Sequence, residues 1–169
     1  MSSIRPCEKE DFAAILSIVN AAAEAYRGVI PADQWHEPYL PADELDREIG
    51  AGVAFWGWER DGRLAGVMGL QTVRDVDLIR HAYVVPADQR HGVGGALLRH
   101  LRAKSARQML VGTWSAADWA IRFYQRHGFE MVSSVTKAAL LKTYWTVSAR
   151  QAEVSVVLAD PPLASDSAR

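Results

Sequence analysis

Cysteine is nearly absent from this chain: Cys7 stands alone among 169 residues, which excludes an internal disulfide and leads us to expect a reducing, cytoplasmic setting. Long apolar runs are absent as well. No stretch approaches the ~18 apolar residues of a membrane span, and the opening Met1-Ser2-Ser3-Ile4-Arg5-Pro6 has no apolar signal core. Neither sign of charge is in excess, since 19 Lys and Arg face 20 Asp and Glu for a formal net charge of -1. This excludes the broad basic field of a nucleic-acid binder, so any phosphate binding must be local. The five histidines form no metal-like pair at helical spacing, and no metal is expected. Cys7 has no base near it in sequence and reads as a buried thiol.

What is present is an ordinary globular composition, 49% hydrophobic and 23% charged. One domain is expected over residues 1–160, with 161–169 as a frayed tail. Residues 3–7 suit a short strand. Glu8, Glu10 and Asp11 then place negative charge where a helix dipole favours it, and Phe12, Ile15, Leu16, Val19, Ala22, Ala23 and Tyr26 continue at helical spacing over about 9–26. The segment 29–41 carries Pro31, Trp35, Pro38, Tyr39 and Pro41; a loop so rich in rings needs a surface to pack on. A short acidic helix is predicted over 42–49.

Strands over Val53–Glu59 and Leu64–Gln71 flank an Asp61-Gly62 hairpin turn, and Val76–Val85 forms the next strand. A helix with Val93, Ala96, Leu97 and Leu101 on one face follows, then a strand over 108–114. Ser115-Ala116-Ala117-Asp118 is a capping-box variant that opens a helix lined by Ala116, Trp119, Ala120, Phe123, Tyr124 and His127 and stopped by Gly128. Phe129–Ser133 is strand-like, 136–146 is a candidate helix, and Glu153–Ala159 is the last strand. The order predicts a mixed α/β domain.

The stretch with most chemical content is Tyr83-Val84-Val85-Pro86-Ala87-Asp88-Gln89-Arg90-His91-Gly92-Val93-Gly94-Gly95. It reads as an apolar strand ending at a proline, a polar turn, and a helix whose first turn is nearly all small. The first N–H groups of a helix lack internal partners, the dipole is positive there, and glycines admit a ligand to the backbone. Three glycines alone are equally well read as tight helix packing. No Lys-Ser or Lys-Thr follows Gly95, which excludes a phosphate loop, and Leu97 stands where a dinucleotide motif needs its third glycine. What remains is Gln-x-x-Gly-x-Gly over 89–94 behind a Val-x-Pro strand end.

That pattern resembles the acetyl-CoA pyrophosphate motif of the Gcn5-related N-acetyltransferases, the GNAT superfamily. A second landmark of the family, Asn-x-x-Ala-x-x-Phe-Tyr followed by Gly-Phe, is matched by Ala120, Phe123, Tyr124, Gly128 and Phe129. Ala117 replaces the Asn, with Trp114 and Ser115 as nearby substitutes. The order of elements is similar over residues 3–134 plus the last strand, and 135–150 looks like a helical insertion. The resemblance implies an acyl-CoA N-acyltransferase fold: a mostly antiparallel sheet splayed between its fourth and fifth strands, with helices on both faces. It also implies acetyl-CoA as donor and a primary amine that attacks the thioester directly. Tyr83, Val84 and Val85 would then offer backbone groups to the pantetheine and acetyl carbonyl. Gln89, Arg90, His91, Gly92, Val93, Gly94 and Gly95 would surround the pyrophosphate, with Ser115 near the cofactor. Tyr124 would protonate the departing thiolate.

The base is less plainly marked. Many members of the family place Glu eleven residues before the position of Gln89, and Leu78 stands there. His81 is a candidate with an unperturbed pKa near ~6.5, although strand alternation points it away from Leu78. Glu24, Tyr26, Trp35 and His36 fall where the family's substrate-binding helix and loop lie. Residues 31–50 hold Asp33, Glu37, Asp43, Glu44, Asp46 and Glu48 against Arg47 alone, a bias that would attract a cationic amine; 43–48 read first as the solvated face of a short helix, and Asp33 and Glu37, set among Trp35, His36 and Tyr39, as the better pocket candidates. Tyr144 and Trp145 would serve as acceptor cover, core or a homodimer face. The competing functional reading is an acyl-CoA-binding or sensing module with reduced turnover, and a third is a structural protein whose glycines only pack.

Overall fold

The computed structural model describes residues 1–164, so the tail expected over 161–169 falls from residue 165 onward outside the described residues. Seven strands form one sheet in the order β1-β2-β3-β4-β5-β7-β6. They are β1 (Ser2–Pro6), β2 (Ala54–Arg60), β3 (Arg63–Val73), β4 (Val76–Val84), β5 (Gln108–Trp114), β6 (Glu130–Met131) and β7 (Ser155–Asp160). Only β4 and β5 run parallel; the other pairs are antiparallel. The helices are α1 (Phe12–Ala23), α2 (Ala42–Gly50), α3 (Val93–Lys104), α4 (Asp118–Arg126), α5 (Ser134–Tyr144) and α6 (Ala149–Glu153). The five-residue α6 was not foreseen, because it is too short to show a period; Ser148 caps it by accepting from the Gln151 N–H.

Helices cover both faces. On one, α3 and α4 press Leu97, Leu101 and Tyr124 against Ile79, Met109 and Val111 of the sheet. On the other, α1 and α2 press Ile15, Val19 and Leu45 against Phe55 and Val67. Beside them α5 lays Leu141 on Leu78, Leu110 and Val157. The added helix thus covers sheet that would otherwise face water, and each such buried leucine contributes about 1.5–3 kcal/mol.

Two departures from regular pairing open the site. β4 and β5 pair only from Val76↔Gln108 to Ile79↔Val111. Beyond that point β5 stays with β7 as far as Trp114↔Ser155, while β4 stays with β3 as far as Gly66↔Val84, so the sheet splays. At the same place the β3–β4 register shifts between Val67 and Gly69, an extra residue on β4, and His81 takes a φ of 51°. Gly69 permits this, because a Cβ there would lie 2.8 Å from the Arg80 carbonyl oxygen.

The bulge corrects the expected direction of His81. Leu78 packs under α5 and Ile79 under α3, so plain alternation would send His81 to the face of Ile79. Instead Arg80 and His81, consecutive residues, both reach Glu48 on α2. His81 therefore shares the side of Leu78.

Candidate active site

The splay opens a cleft of about 800 Å³ lined by His81 and Tyr83 of β4, Thr113 and Trp114 of β5, Tyr124 of α4, and Glu44 and Glu48 of α2. It joins the two faces of the sheet through the gap between β4 and β5.

On one side of the gap stands the β4–α3 turn. The Val85 N–H donates to the Ala65 carbonyl at 2.8 Å, and the Val85 carbonyl accepts from the Asp88 N–H at 2.8 Å, so both of its backbone groups are engaged within the protein. In an antiparallel ladder the backbone groups of alternate residues point the same way. Tyr83 accordingly faces β3 with Val85, and Val84 faces the gap, where its carbonyl takes the Gln89 Nε2 at 3.1 Å. By the same alternation Ala82 faces the gap, a position that side-chain reasoning had no reason to single out.

Arg90 and His91 are exposed, and Gly92, with φ 81°, caps α3 from the left-handed region that favours glycine. Its carbonyl accepts the first helical bond, from Ala96 at 3.0 Å, leaving the Val93, Gly94 and Gly95 N–H groups without acceptors in the helix. Gly92 has open space around it, whereas a Cβ on Gly95 would meet His127 Nε2 at 2.9 Å and one on Gly94 the Phe123 ring at 3.4 Å. The glycines thus divide the two readings of the motif: Gly92 leaves the backbone open, and Gly94 and Gly95 seat α3 on α4.

The capping box expected at Ser115 does not form. α4 begins at Asp118 with Ala117 as its cap and no side-chain cap bond, and the Ser115 N–H instead donates to the Val154 carbonyl at 2.8 Å. Ser115 is exposed; Ala117 is fully buried beside Tyr26 and Trp114, where β5 and β7 hold the chain before it can turn.

Across the gap lies an aromatic wall. Tyr26 sits with its ring centroid 5.4 Å from that of Tyr39 and 6.2 Å from that of Tyr83. The Trp114 indole N–H donates to the Tyr39 hydroxyl at 2.8 Å. Burial pushes the phenols of Tyr26, Tyr39 and Tyr83 upward, so they stay neutral and able to donate. Burial does the same to Tyr124, whose ring packs edge-on against Phe123 and Phe129 at 5.1 and 5.6 Å.

Of the substrate residues expected from sequence, Tyr26 and His36 line the cleft. Trp35 backs it, stacking on Tyr39 at 5.8 Å with the Arg27 guanidinium over its own ring at 4.9 Å. Glu24 is exposed and turned to Arg27 at 2.9 Å. Tyr144 and Trp145 do reach the cleft, the indole lying against Gly112. The acidic bias of 31–50 is largely neutralised: Asp33 pairs with Arg150, Glu37 with Arg27, Asp43 with Arg47, and Glu48 with Arg80. Glu44 remains as a half-buried carboxylate on the cleft wall. Cys7 lies elsewhere, in an apolar groove with Phe12 and Phe55, where burial and then the charge of Asp11 push its thiol up to about 11.

His81 lines the cleft beside Tyr83, and its partner escaped sequence reasoning. Its Nε2 lies 2.5 Å from the Glu48 Oε2, while Arg80 donates to Oε1 at 2.7 Å and to Gln71 at 2.7 Å. Burial pushes Glu48 up, but the hydrogen bond from His81 and the charges of His81 and Arg80 outweigh it and hold the carboxyl below its ordinary range. No local pattern links residues 33 positions apart.

A splayed sheet, a glycine-capped helix at the end of β4 and a buried tyrosine on α4 define an acyltransferase cleft, and the sequence comparison agrees. The chain matches the family model described as an acetyltransferase (GNAT) domain over residues 51–131. It is an acetyl-CoA-dependent N-acyltransferase. It is similar to the peptidyl-lysine N-acetyltransferase YiaC of Escherichia coli K12, with 26% identity over 147 residues, covering 86% of this chain and 94% of YiaC. The fold is also that of the PaiA N-acetyltransferase of Thermoplasma acidophilum, solved with coenzyme A (TM-score 0.69, 17% identity, 94% of this chain and 98% of that one). The ribosomal-protein-S18-alanine N-acetyltransferase of Escherichia coli shares it too (TM-score 0.64, 19% identity, 94% and 92%). Among the described residues no helix is long and apolar enough to cross a membrane.

Proposed function

We propose that this chain acetylates a primary amine at the end of an alkyl arm, such as a lysine side chain, with His81 as general base and Tyr124 as general acid. The observation that carries this reading is the bulge, which turns His81 into the same cleft that Tyr124 lines from the opposite side of the gap. Acetyl-CoA supplies the acyl group as a thioester. The open N–H of Val84 and the start of α3 are the backbone donors we assign to the acetyl carbonyl and the pyrophosphate. His81 removes a proton from the attacking nitrogen as the C–N bond forms. Tyr124 gives its hydroxyl proton to the sulfur as the C–S bond breaks.

A lysine-like acceptor is favoured by the resemblance to YiaC and by a wall of rings able to hold an alkyl chain. A cytoplasmic setting is the compartment we propose, where a lone thiol such as Cys7 stays reduced.

The experiment is thiol release from acetyl-CoA with a blocked lysine amide as acceptor. His81→Gln should lower kcat by about 10²-fold or more and Tyr124→Phe by about 10-fold or more, with the KM for acetyl-CoA nearly unchanged. Wild-type kcat in either variant removes that residue from its role.

A further inference from the structure

Building on the reading of His81 as base, we propose that Glu48 is the positioning residue that makes Nδ1, and not Nε2, the proton-accepting nitrogen of His81. The Glu48 side chain enters from α2 and is only 16% exposed, so water competes weakly for it. Each oxygen already has a partner, Arg80 on Oε1 and His81 Nε2 on Oε2. An ionised carboxylate can only accept hydrogen bonds, so Nε2 must carry the hydrogen. A neutral imidazole protonated at Nε2 has its lone pair on Nδ1. The rings of Phe55 and Tyr83 lie beside the imidazole, with centroids 6.1 and 6.5 Å away and planes within 20° and 29° of its own.

The charged and titratable groups that line the same cleft from the elements around this ring are Glu44, Arg47 and Glu48 from α2, Arg80 and Tyr83 from β4, and Tyr26 from the turn that follows α1; Arg47 is turned to Asp43. Glu48 alone among these is in contact with the imidazole as an anion. When Nδ1 takes the amine proton, the imidazolium forms against a carboxylate already in place. Glu48 is not itself the base, since both oxygens are engaged and its ionised form is the favoured one.

The test has a spectroscopic arm and a kinetic arm. In ¹⁵N-labelled protein the ring nitrogens of His81 should report the Nε2–H tautomer in the neutral form. Glu48→Gln keeps an acceptor oxygen but removes the charge, so the tautomer should persist. The imidazolium then loses support, the acid-side limb of kcat moves to lower pH, and kcat falls about 10-fold. Glu48→Ala removes both, and should give a mixed tautomer with kcat lower by up to about 100-fold and an unchanged KM for acetyl-CoA. Thermal unfolding of both variants checks that the fold is intact. An Nδ1–H tautomer in the wild-type protein, or a wild-type kcat and pH limb in both variants, overturns the proposal. Full kcat in His81→Gln would instead overturn the base reading, and the ring shifts would still report whether Glu48 sets the tautomer.

Discussion

On the wall we assign to the donor, residues 83–95 are continuous in the chain, and what they would offer a ligand is mainly backbone. On the acceptor wall, Glu48 meets His81, Trp114 meets Tyr39 and Asp33 meets Arg150 across separations of 33, 75 and 117 residues. The two walls use different physics for different ends. On that assignment a cosubstrate common to many enzymes is met by backbone N–H groups, which any residue but proline carries, and glycines are needed only where φ or close packing demands them. The acceptor is met by side chains, and these reach the cleft only because α2, the β4 bulge, β5 and α6 converge there. On the proposed assignment, specificity rests on the wall built from distant pieces, and that wall should be the more fragile.

The largest effect that would sharpen this contrast is expected at Gly69, which lines no part of the cleft and packs behind the bulge. A methyl group there would lie 2.8 Å from the Arg80 carbonyl and 2.9 Å from Val53 Cγ1, so the bulge has to shift. Gly69→Ala should cost about 1–3 kcal/mol by overpacking, measured by chemical denaturation. It should also lower kcat by about 10–100-fold, because a displacement near 1 Å suffices to misplace a base. The KM for acetyl-CoA should hold, since β4 beyond the bulge keeps its pairing with β3. A normal kcat with reduced stability would mean that the bulge does not position His81.

The same contrast explains what could be read in advance. The Gln-x-x-Gly-x-Gly turn, the Asp61-Gly62 hairpin with φ values of 52° and 76°, and the amphipathic α1 are all local signals, and each forms where the residues indicate. The place of Tyr124 in the cleft was legible through the resemblance of Ala120, Phe123 and Tyr124 to the family's second landmark. His81 was legible as a residue type, but its direction was not. Period-two alternation fails at a bulge, and the cause lies in Gly69 on the neighbouring strand. Glu48 was misread as part of a solvated acidic face because its partners come from β4. Ser115 looked like a helix cap, but its N–H is taken by the carbonyl of Val154, between α6 and β7.

A smaller effect is expected at Glu44, the cleft-lining acid with no recorded partner among the described residues. It lies one helical turn before Glu48, so a cationic acceptor on its way to His81 passes within reach of its charge. Glu44→Gln should raise the KM for a cationic amine by about 2–5-fold at low salt, as expected for a partly solvated charge contact. Most of that difference should vanish near 1 M salt, where screening is complete within a few ångströms. A salt-independent change would point to shape and not charge.

The smallest effect belongs to the Asp33–Arg150 pair, which ties the aromatic loop to α6 at 3.0 Å with side chains 54% and 44% exposed. The guanidinium and then the Gln34 amide hold Asp33 at about 2, so the pair stays charged at any working pH. In water such a contact contributes little to stability, and Arg150→Ala should leave the thermal midpoint almost unchanged. Its position is what gives it consequence: Asp33 and Gln151, neighbour of Arg150, both line the cleft, so the pair bounds the space beside the acceptor. Without it, kcat/KM for a lysine-containing peptide should rise relative to a lysine amide by less than about 5-fold. If the ratio is constant while the midpoint falls, the pair fastens α6 and does not border the site, and the acceptor wall ends at the rings of Tyr26, Tyr39 and Trp145.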